Sequence, residues 1–391
     1  MTLDIDRIRQ DTPSAEDHIH LDNCGAALMP DVVVDSMISH IKLEQSVGGY
    51  DAQAEVADEL EAAYVNFENL IGAKNGEVAV LTSATDAWDR AFYSIELNRG
   101  DRIITGFNEY CSNFVAMLHL KKTKGVEIVV IRPNSDGVFD LAALEVEAAA
   151  GAKLIAISHV PSSSGQINPV VEVGKISKKH GIPYLLDACQ SLGQLEVDVA
   201  AIGCDMASFT TRKFLRGPRG IGALYISHEM REKITPVFMT NQGAPWSKPD
   251  DYTPIPSARV FEPWERNVAA VLGFGEAVKY LLALDRPAVF KRIKHLSDSL
   301  RGGLAKLENV NITDIGDQLG AIVTFTVDGK TAGEFRAQML ENGVRGQIAS
   351  VFHTRLDLQP RGIEESLRLS PHYYNTEDEI NRAIEVIAAL T

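Results

Sequence analysis

Between about residues 57 and 230, short apolar runs alternate with segments of helical period. The runs are EVAVLTSA (77–84), DRIITG (101–106), VEIVVIRP (126–133), KLIAISHV (153–160), PYLLDA (183–188), MASFTT (206–211) and GALYI (222–226). Several are rich in Val and Ile and lack polar alternation, the pattern of strands covered on both faces. Seven such runs separated by helices predict an α/β fold with a mostly parallel sheet. Of the helical segments, Asp58 to Leu70 sets Leu60, Ala63, Phe67 and Leu70 on one face and has Gly72 as its C-cap. A shorter one, Glu172 to His180, stops at Gly181.

The stretch 240–259, TNQGAPWSKPDDYTPIPSAR, holds four prolines and few periodic apolar residues, so it reads as a loop or domain junction. Beyond it, Asn267 to Leu282 is expected to be helical and GAIVTFTV (320–327) a strand. The last helix starts at a capping box, Thr376 with Glu379, and carries Ile380, Ala383, Ile384 and Ile387 on one face. The expected division is an N-terminal arm (1–17) packing with the small domain, a large α/β domain (18–250) and a smaller α+β domain (251–391).

The 53 acidic residues outnumber the 38 Lys and Arg, giving a formal charge of −15. No basic stripe stands out, which argues against nucleic acid and anionic membrane surfaces as partners. Small anions remain compatible, because helix N-termini bind them whatever the net charge. No apolar stretch is long enough to span a bilayer, and the charged start MTLDIDRIRQD lacks the apolar core of a signal peptide. Cys24, Cys111, Cys189 and Cys204 are widely spaced without a CxxC pair, so neither a disulfide framework nor a metal site is indicated. A reducing cytoplasm is the default location.

The most informative chemistry lies in FTTRKFLRGPRGIGALYI (209–226). A strand ends in hydroxyl residues, Lys213 follows, and a Gly/Pro-rich loop leads into the next strand. A nucleophilic lysine placed there suits an aldehyde-bearing cofactor. GPRGIG precedes a strand and opens no helix, which makes a dinucleotide loop a weak reading. Upstream, LLDACQS puts Asp187 at the end of a buried strand, where a carboxylate can pair with a protonated pyridine nitrogen. In LTSATDAWDRAF, Ser83, Ala84 and Thr85 end a strand and a helix follows, so free N–H groups face a phosphate. Taken singly, a surface lysine, a turn-capping aspartate and a plain N-cap explain these features as well.

Together the three resemble, in order and spacing, the class V aminotransferase group of fold-type I pyridoxal-phosphate enzymes, which includes the cysteine desulfurases. HLDNCGAALMP (20–30), SATDA (83–87), NEYCSN (108–113), SHVPSSSG (158–165), LLDACQS (185–191), TTRKFLRGPRGIG (210–222) and LRLSPHYYNTEDEI (367–380) each resemble a family segment. The resemblance implies that Lys213 binds the aldehyde of pyridoxal 5'-phosphate covalently and later moves the Cα proton. It implies that Asp187 pairs with the ring nitrogen and Gln190 approaches the ring hydroxyl. Ala84, Thr85, Thr210 and Arg212 would hold the phosphate, with Arg212 where relatives often have histidine. Tyr110 would stack on the ring where desulfurases have histidine. Asn23 and Arg368 would bind substrate, Arg368 through its α-carboxylate. The family also implies a homodimer with shared active sites, with FEPWERN (261–267) near the partner's phosphate, Asn267 in register and Glu265 where desulfurases often have threonine.

The reaction is less constrained. GVRGQIASVFHTRLDLQP (343–360), which matches the region where desulfurases carry their acceptor cysteine, has none, and all four cysteines lie at or before residue 204. This favours a C–S lyase that performs β-elimination on a cysteine S-conjugate or its sulfoxide. VGGYDA (47–52) and FEPWERN resemble the subgroup containing the hercynylcysteine sulfoxide lyase. An epimerase or racemase, an aminotransferase, a desulfurase using Cys24 or Cys111, and a non-catalytic scaffold are the alternatives. His20, Tyr50, His353 and Arg355 are candidates for substrate contact, and each is equally readable as ordinary surface.

Overall fold

The computed structural model describes residues 3–391, so the first two residues of the expected arm lie outside the described residues. The seven runs all form strands: β1 (Val78–Leu81), β2 (Arg102–Gly106), β3 (Glu127–Ile131), β4 (Leu154–Ser158), β5 (Tyr184–Asp187), β6 (Met206–Thr210) and β7 (Gly222–Ile226). They make one sheet in the order β1-β7-β6-β5-β4-β2-β3. Only β7 runs antiparallel, to both β1 and β6. Successive residues face opposite sides, as the strand period requires. Ala207 and Phe209 enter one core with Phe67 and Phe274, whereas Met206 joins Trp88, Phe92 and Leu224 in another. Burial on both faces is what the unbroken apolar runs encoded.

Of the helices that follow, α1 (Asp31–Val47), α2 (Ala57–Ile71), α3 (Ala84–Tyr93) and α4 (Cys111–Lys124) belong with this sheet, and α2 ends at Gly72 with φ of 69°. α5 (Val268–Leu282) packs on α1 and α2, and its Val271, Phe274 and Val278 lie in the same core as β6. α5, which lies beyond the expected boundary at 250, thus packs with the large core. In α6 (Arg286–Leu304), Val289 and Ile293 enter the large core, whereas Leu296, Leu300 and Leu304 enter the small one. The proline-rich stretch before α5 is an excursion of the large domain: Ala258, Val260 and Phe261 bury themselves beside Trp88. Prolines marked its turns and not a change of domain. Within it, Trp246–Lys248 and Asp251–Tyr252 pair as a small exposed hairpin.

The small domain is a four-stranded antiparallel sheet, β8 (Val310–Ile312), β9 (Val323–Val327), β10 (Gln347–Ser350) and β11 (Glu365–Leu369), in the order β8-β9-β11-β10. α6 and α7 (Glu377–Leu390) pack together beside it, and α7 opens with the Thr376–Glu379 capping box. The N-terminal segment ties to both domains. Ile8 enters the large core, Arg9 pairs with Glu379 at 2.9 Å, and Ile19–His20 pairs with Val344–Arg345.

Candidate active site

The carboxyl ends of β4, β5 and β6 deliver Ser158, Asp187 and Thr210 to one side of the sheet, the usual place for a ligand crevice in open α/β folds. Ala84, Thr85, Tyr110, Asp187, Gln190, Thr210, Arg212 and Lys213, all expected from the sequence, line a single cavity there.

At one end lies the turn from β1 into α3. Ser83 caps the helix, its Oγ accepting from Asp86 N at 3.0 Å, which leaves the Ala84 and Thr85 N–H groups at the positive end of the helix dipole. The turn crosses directly over β7. A Cβ on Gly222 would stand 2.3 Å from Ser83 C and 2.4 Å from Ala84 N, so only glycine permits this approach. Gly222 also pairs with Leu81 and Thr210, which fixes the turn's height above the sheet. Arg212 lines the same cavity, and its guanidinium also donates to Gly25 O.

At the other end, Asp187 is held by two donors. Its Oδ1 accepts from Cys189 N at 2.9 Å and its Oδ2 from Asn113 Nδ2 at 2.8 Å. The sequence reading did not single out Asn113. Its signal was the spacing of four residues from Glu109, which places both side chains on one face across the start of α4. Gln190 Nε2 donates to Cys24 O at 3.2 Å, while Gln190 Oε1 is buried without a partner.

Lys213 is buried, and burial lowers its pKa from the ordinary lysine value. Cys189 and Asp187 oppose that shift, whereas the Arg212 and Arg368 charges add to it. The result is an amine biased toward its neutral, nucleophilic form. The loop that carries it is anchored by Arg216, a fully buried arginine with φ of 62°. Its side chain donates to Leu28 O at 2.8 Å, to Tyr373 OH at 2.9 Å and to Thr12 Oγ1. Those bonds secure a backbone conformation that a non-glycine residue rarely adopts.

Arg368, on β11, comes from the small domain. Its Nη1 donates to Ser162 O at 2.8 Å, its Nη2 stands 3.6 Å from Asp22 Oδ1, and its Nε has no partner. Neither Arg368 nor Asn23, both expected to bind substrate, is among the residues that line the cavity. The Asn23 amide donates to Ser370 O at 2.7 Å and to His20 O at 3.2 Å, and its Oδ1 accepts from Tyr374 OH, so it joins the N-terminal segment to the chain after β11. Asn267 likewise caps α5, accepting from Ala270 N at 2.9 Å. Of the further candidates, His20 faces inward onto Ala26 O and is held neutral by burial, with a pKa near 4. Tyr50 shares an open surface cleft with Trp264 and Glu265. His353 and Arg355 line a separate cleft of about 690 Å³ between α3, α4 and the chain after β10.

A buried amine, an oriented carboxylate, N–H groups at a helix start, a guanidinium and an orphaned acceptor in one cavity fit pyridoxal phosphate: aldehyde, ring nitrogen, phosphate and ring hydroxyl each meet a complementary group.

The sequence matches the family described as aminotransferase class-V over residues 19–383. A probable cysteine desulfurase of Methanothermobacter thermautotrophicus is 26% identical, over 98% of this chain and 98% of its own. The apo structure of a cysteine desulfurase from Thermococcus onnurineus NA1 has a TM-score of 0.92 at 25% identity, covering 100% of this chain and 98% of that one. A cystine C–S lyase, C-DES, solved with its product cysteine persulfide, shares the fold with a TM-score of 0.86 at 18% identity, over 96% of this chain and 99% of its own. With a family match running from the first short strand into the last helix, the chain belongs to the class-V aminotransferases, pyridoxal-phosphate enzymes of fold type I.

Proposed function

We propose that this enzyme is a carbon–sulfur lyase that eliminates a sulfur group from Cβ of a cysteine S-conjugate or its sulfoxide, yielding pyruvate and ammonia. The state of the four thiols carries this reading. A desulfurase passes sulfur to a cysteine, and the attacking species is the thiolate. Residues 343–360 contain no cysteine. Cys24, Cys189 and Cys204 are buried and Cys111 is half-buried. Burial raises the pKa of every one of them, so no thiol is poised to accept sulfur. Elimination needs no acceptor.

Pyridoxal phosphate, when bound, supplies an electron sink for the pair left at Cα. The chain's own groups do the rest. Arg368 holds the substrate α-carboxylate with its fork. The Ala84 and Thr85 N–H groups, Thr210 and Arg212 would hold its phosphate, Tyr110 would stack on the ring, Gln190 would meet its hydroxyl and Asp187 would keep its nitrogen protonated. Lys213 Nζ takes the Cα proton. The Cβ–S bond then breaks and sulfur leaves with the electron pair, as a thiol from a thioether or a sulfenic acid from a sulfoxide. One water converts the remaining enamine to pyruvate and ammonium. A homodimer with shared active sites belongs to the same reading.

The test is to incubate the cofactor-loaded enzyme with a panel of cysteine S-conjugates and their sulfoxides. Pyruvate and ammonia in equal amounts support elimination. Alanine with a protein persulfide would establish a desulfurase, solvent deuterium at Cα without pyruvate a racemase, and a pyridoxamine form after amino donor alone an aminotransferase.

A further inference from the structure

One buried carboxylate, bonded to Tyr110, Asn113 and Ser158 of the cavity wall, has no part in the chemistry above. Glu109 ends the turn before α4 and is 4% exposed. Its Oε1 accepts from Tyr110 N at 2.9 Å, Asn113 Nδ2 at 2.9 Å and Ser158 Oγ at 2.6 Å. Its Oε2 accepts from Ser158 N at 2.9 Å, with Thr105 Oγ1 at 3.4 Å. No lysine, arginine or histidine pairs with it among the described residues. The Asn113 amide nitrogen has two hydrogens, and Asp187 Oδ2, at 2.8 Å, receives the other. Two buried carboxylates thus share one amide.

We propose that Glu109 is a positioning residue for Asp187: through Asn113 it fixes the direction of the Asp187 carboxylate and places a second negative charge behind it. The inference rests on the reading of Asp187 as the partner of the cofactor's ring nitrogen. Donors that converge on both oxygens favour the ionised form of Glu109. Burial and the Asp187 charge oppose it, leaving the Glu109 pKa near 7. The pair is faced by Lys213 and the Cys189 thiol from the loops after β6 and β5, by Tyr184 on β5, and by Tyr110 before α4. His159, following β4, is held neutral by burial, with a pKa near 4. Lys213 is the one amine in this group, and it is the group that the cofactor's aldehyde would take. A second carboxylate therefore biases the site toward a ligand that brings its own positive charge, which a protonated pyridine does.

The experiment uses cofactor-loaded enzyme and two readouts: the cofactor dissociation constant, and the pH midpoint of its visible absorbance band. Glu109→Gln keeps the shape and removes the charge. It should weaken cofactor binding about tenfold and lower the midpoint by ~1 pH unit. Asn113→Ala keeps both carboxylates, breaks the link and should weaken binding to a similar degree, which preserves the test if the glutamine variant does not fold. Thr105→Val removes one weak donor and leaves the charge, so both readouts should stay at wild-type values. Unchanged readouts in Glu109→Gln or Asn113→Ala, or an equal shift in Thr105→Val, would overturn the inference. Asp187→Asn separates the two levels: if it leaves cofactor affinity intact, the reading of Asp187 fails as well, whereas a large loss there with no effect at Glu109 sinks this inference alone.

Discussion

Gly222→Ala isolates the backbone crossing that sets the phosphate end of the cavity. The new Cβ would lie 2.3–2.4 Å from Ser83 C and Ala84 N. Ordinary contact needs at least ~3.4 Å, so the turn must rise by about 1 Å. β7 cannot yield instead, because Gly222 is paired to Leu81 on one side and Thr210 on the other. Overpacking of this kind costs about 1–3 kcal/mol. The Ala84 and Thr85 N–H groups sit on the displaced turn, so we expect the cost to appear in cofactor affinity. At ~1.4 kcal/mol per tenfold, the dissociation constant should rise roughly 5- to 150-fold. Titration of apoenzyme with pyridoxal phosphate, followed by absorbance, measures it, and a melting curve of the apoenzyme reports any general loss of stability. Wild-type affinity in Gly222→Ala would refute the claim that this turn carries the phosphate.

Other changes probe other parts of the site. Arg368→Lys replaces a fork by a point charge and should raise the KM for amino-acid substrates about 10- to 100-fold, with the cofactor absorbance unchanged. Cys111→Ser should leave pyruvate formation intact, and loss of activity there would revive sulfur transfer to a protein thiol. His159 predicts part of the acid lability. Burial holds its pKa near 4 against an ordinary 6.5, so the unfolded chain takes up a proton between those values and the folded chain does not. Stability is then full above pH 6.5 and falls by about 3 kcal/mol toward pH 4. Urea unfolding of His159→Gln at pH 7 and pH 4.5 should show a smaller difference than wild type, and an equal difference would remove His159 from the account.

The sheet was legible because burial on both faces leaves unbroken apolar runs, and all seven runs became strands. Helix ends with strong local chemistry, Gly72 and the Thr376–Glu379 box, were legible too. The packing of the stretch 240–261 was not, since its prolines shape an excursion whose buried residues return to the core beside Trp88. At the site, residues named by type and motif position converged on one cavity. Arg368 and Asn23 are not among its lining residues; Arg368 donates to Ser162 O, and Asn23 is engaged by Ser370 and Tyr374, because an asparagine in a motif can serve the backbone as readily as a ligand. Asn113 and Glu109 went unassigned for the opposite reason: their importance lies in contacts with Asp187 and Ser158, residues far away in sequence.

Lys213 is the residue on which the proposed chemistry turns. Cofactor-loaded enzyme reduced with borohydride, digested and mapped by mass spectrometry should carry the reduced pyridoxyl phosphate group on the peptide containing Lys213, and the same treatment of Lys213→Ala should yield no labelled peptide. Label on a different lysine, with residue 213 unmodified, would contradict that chemistry.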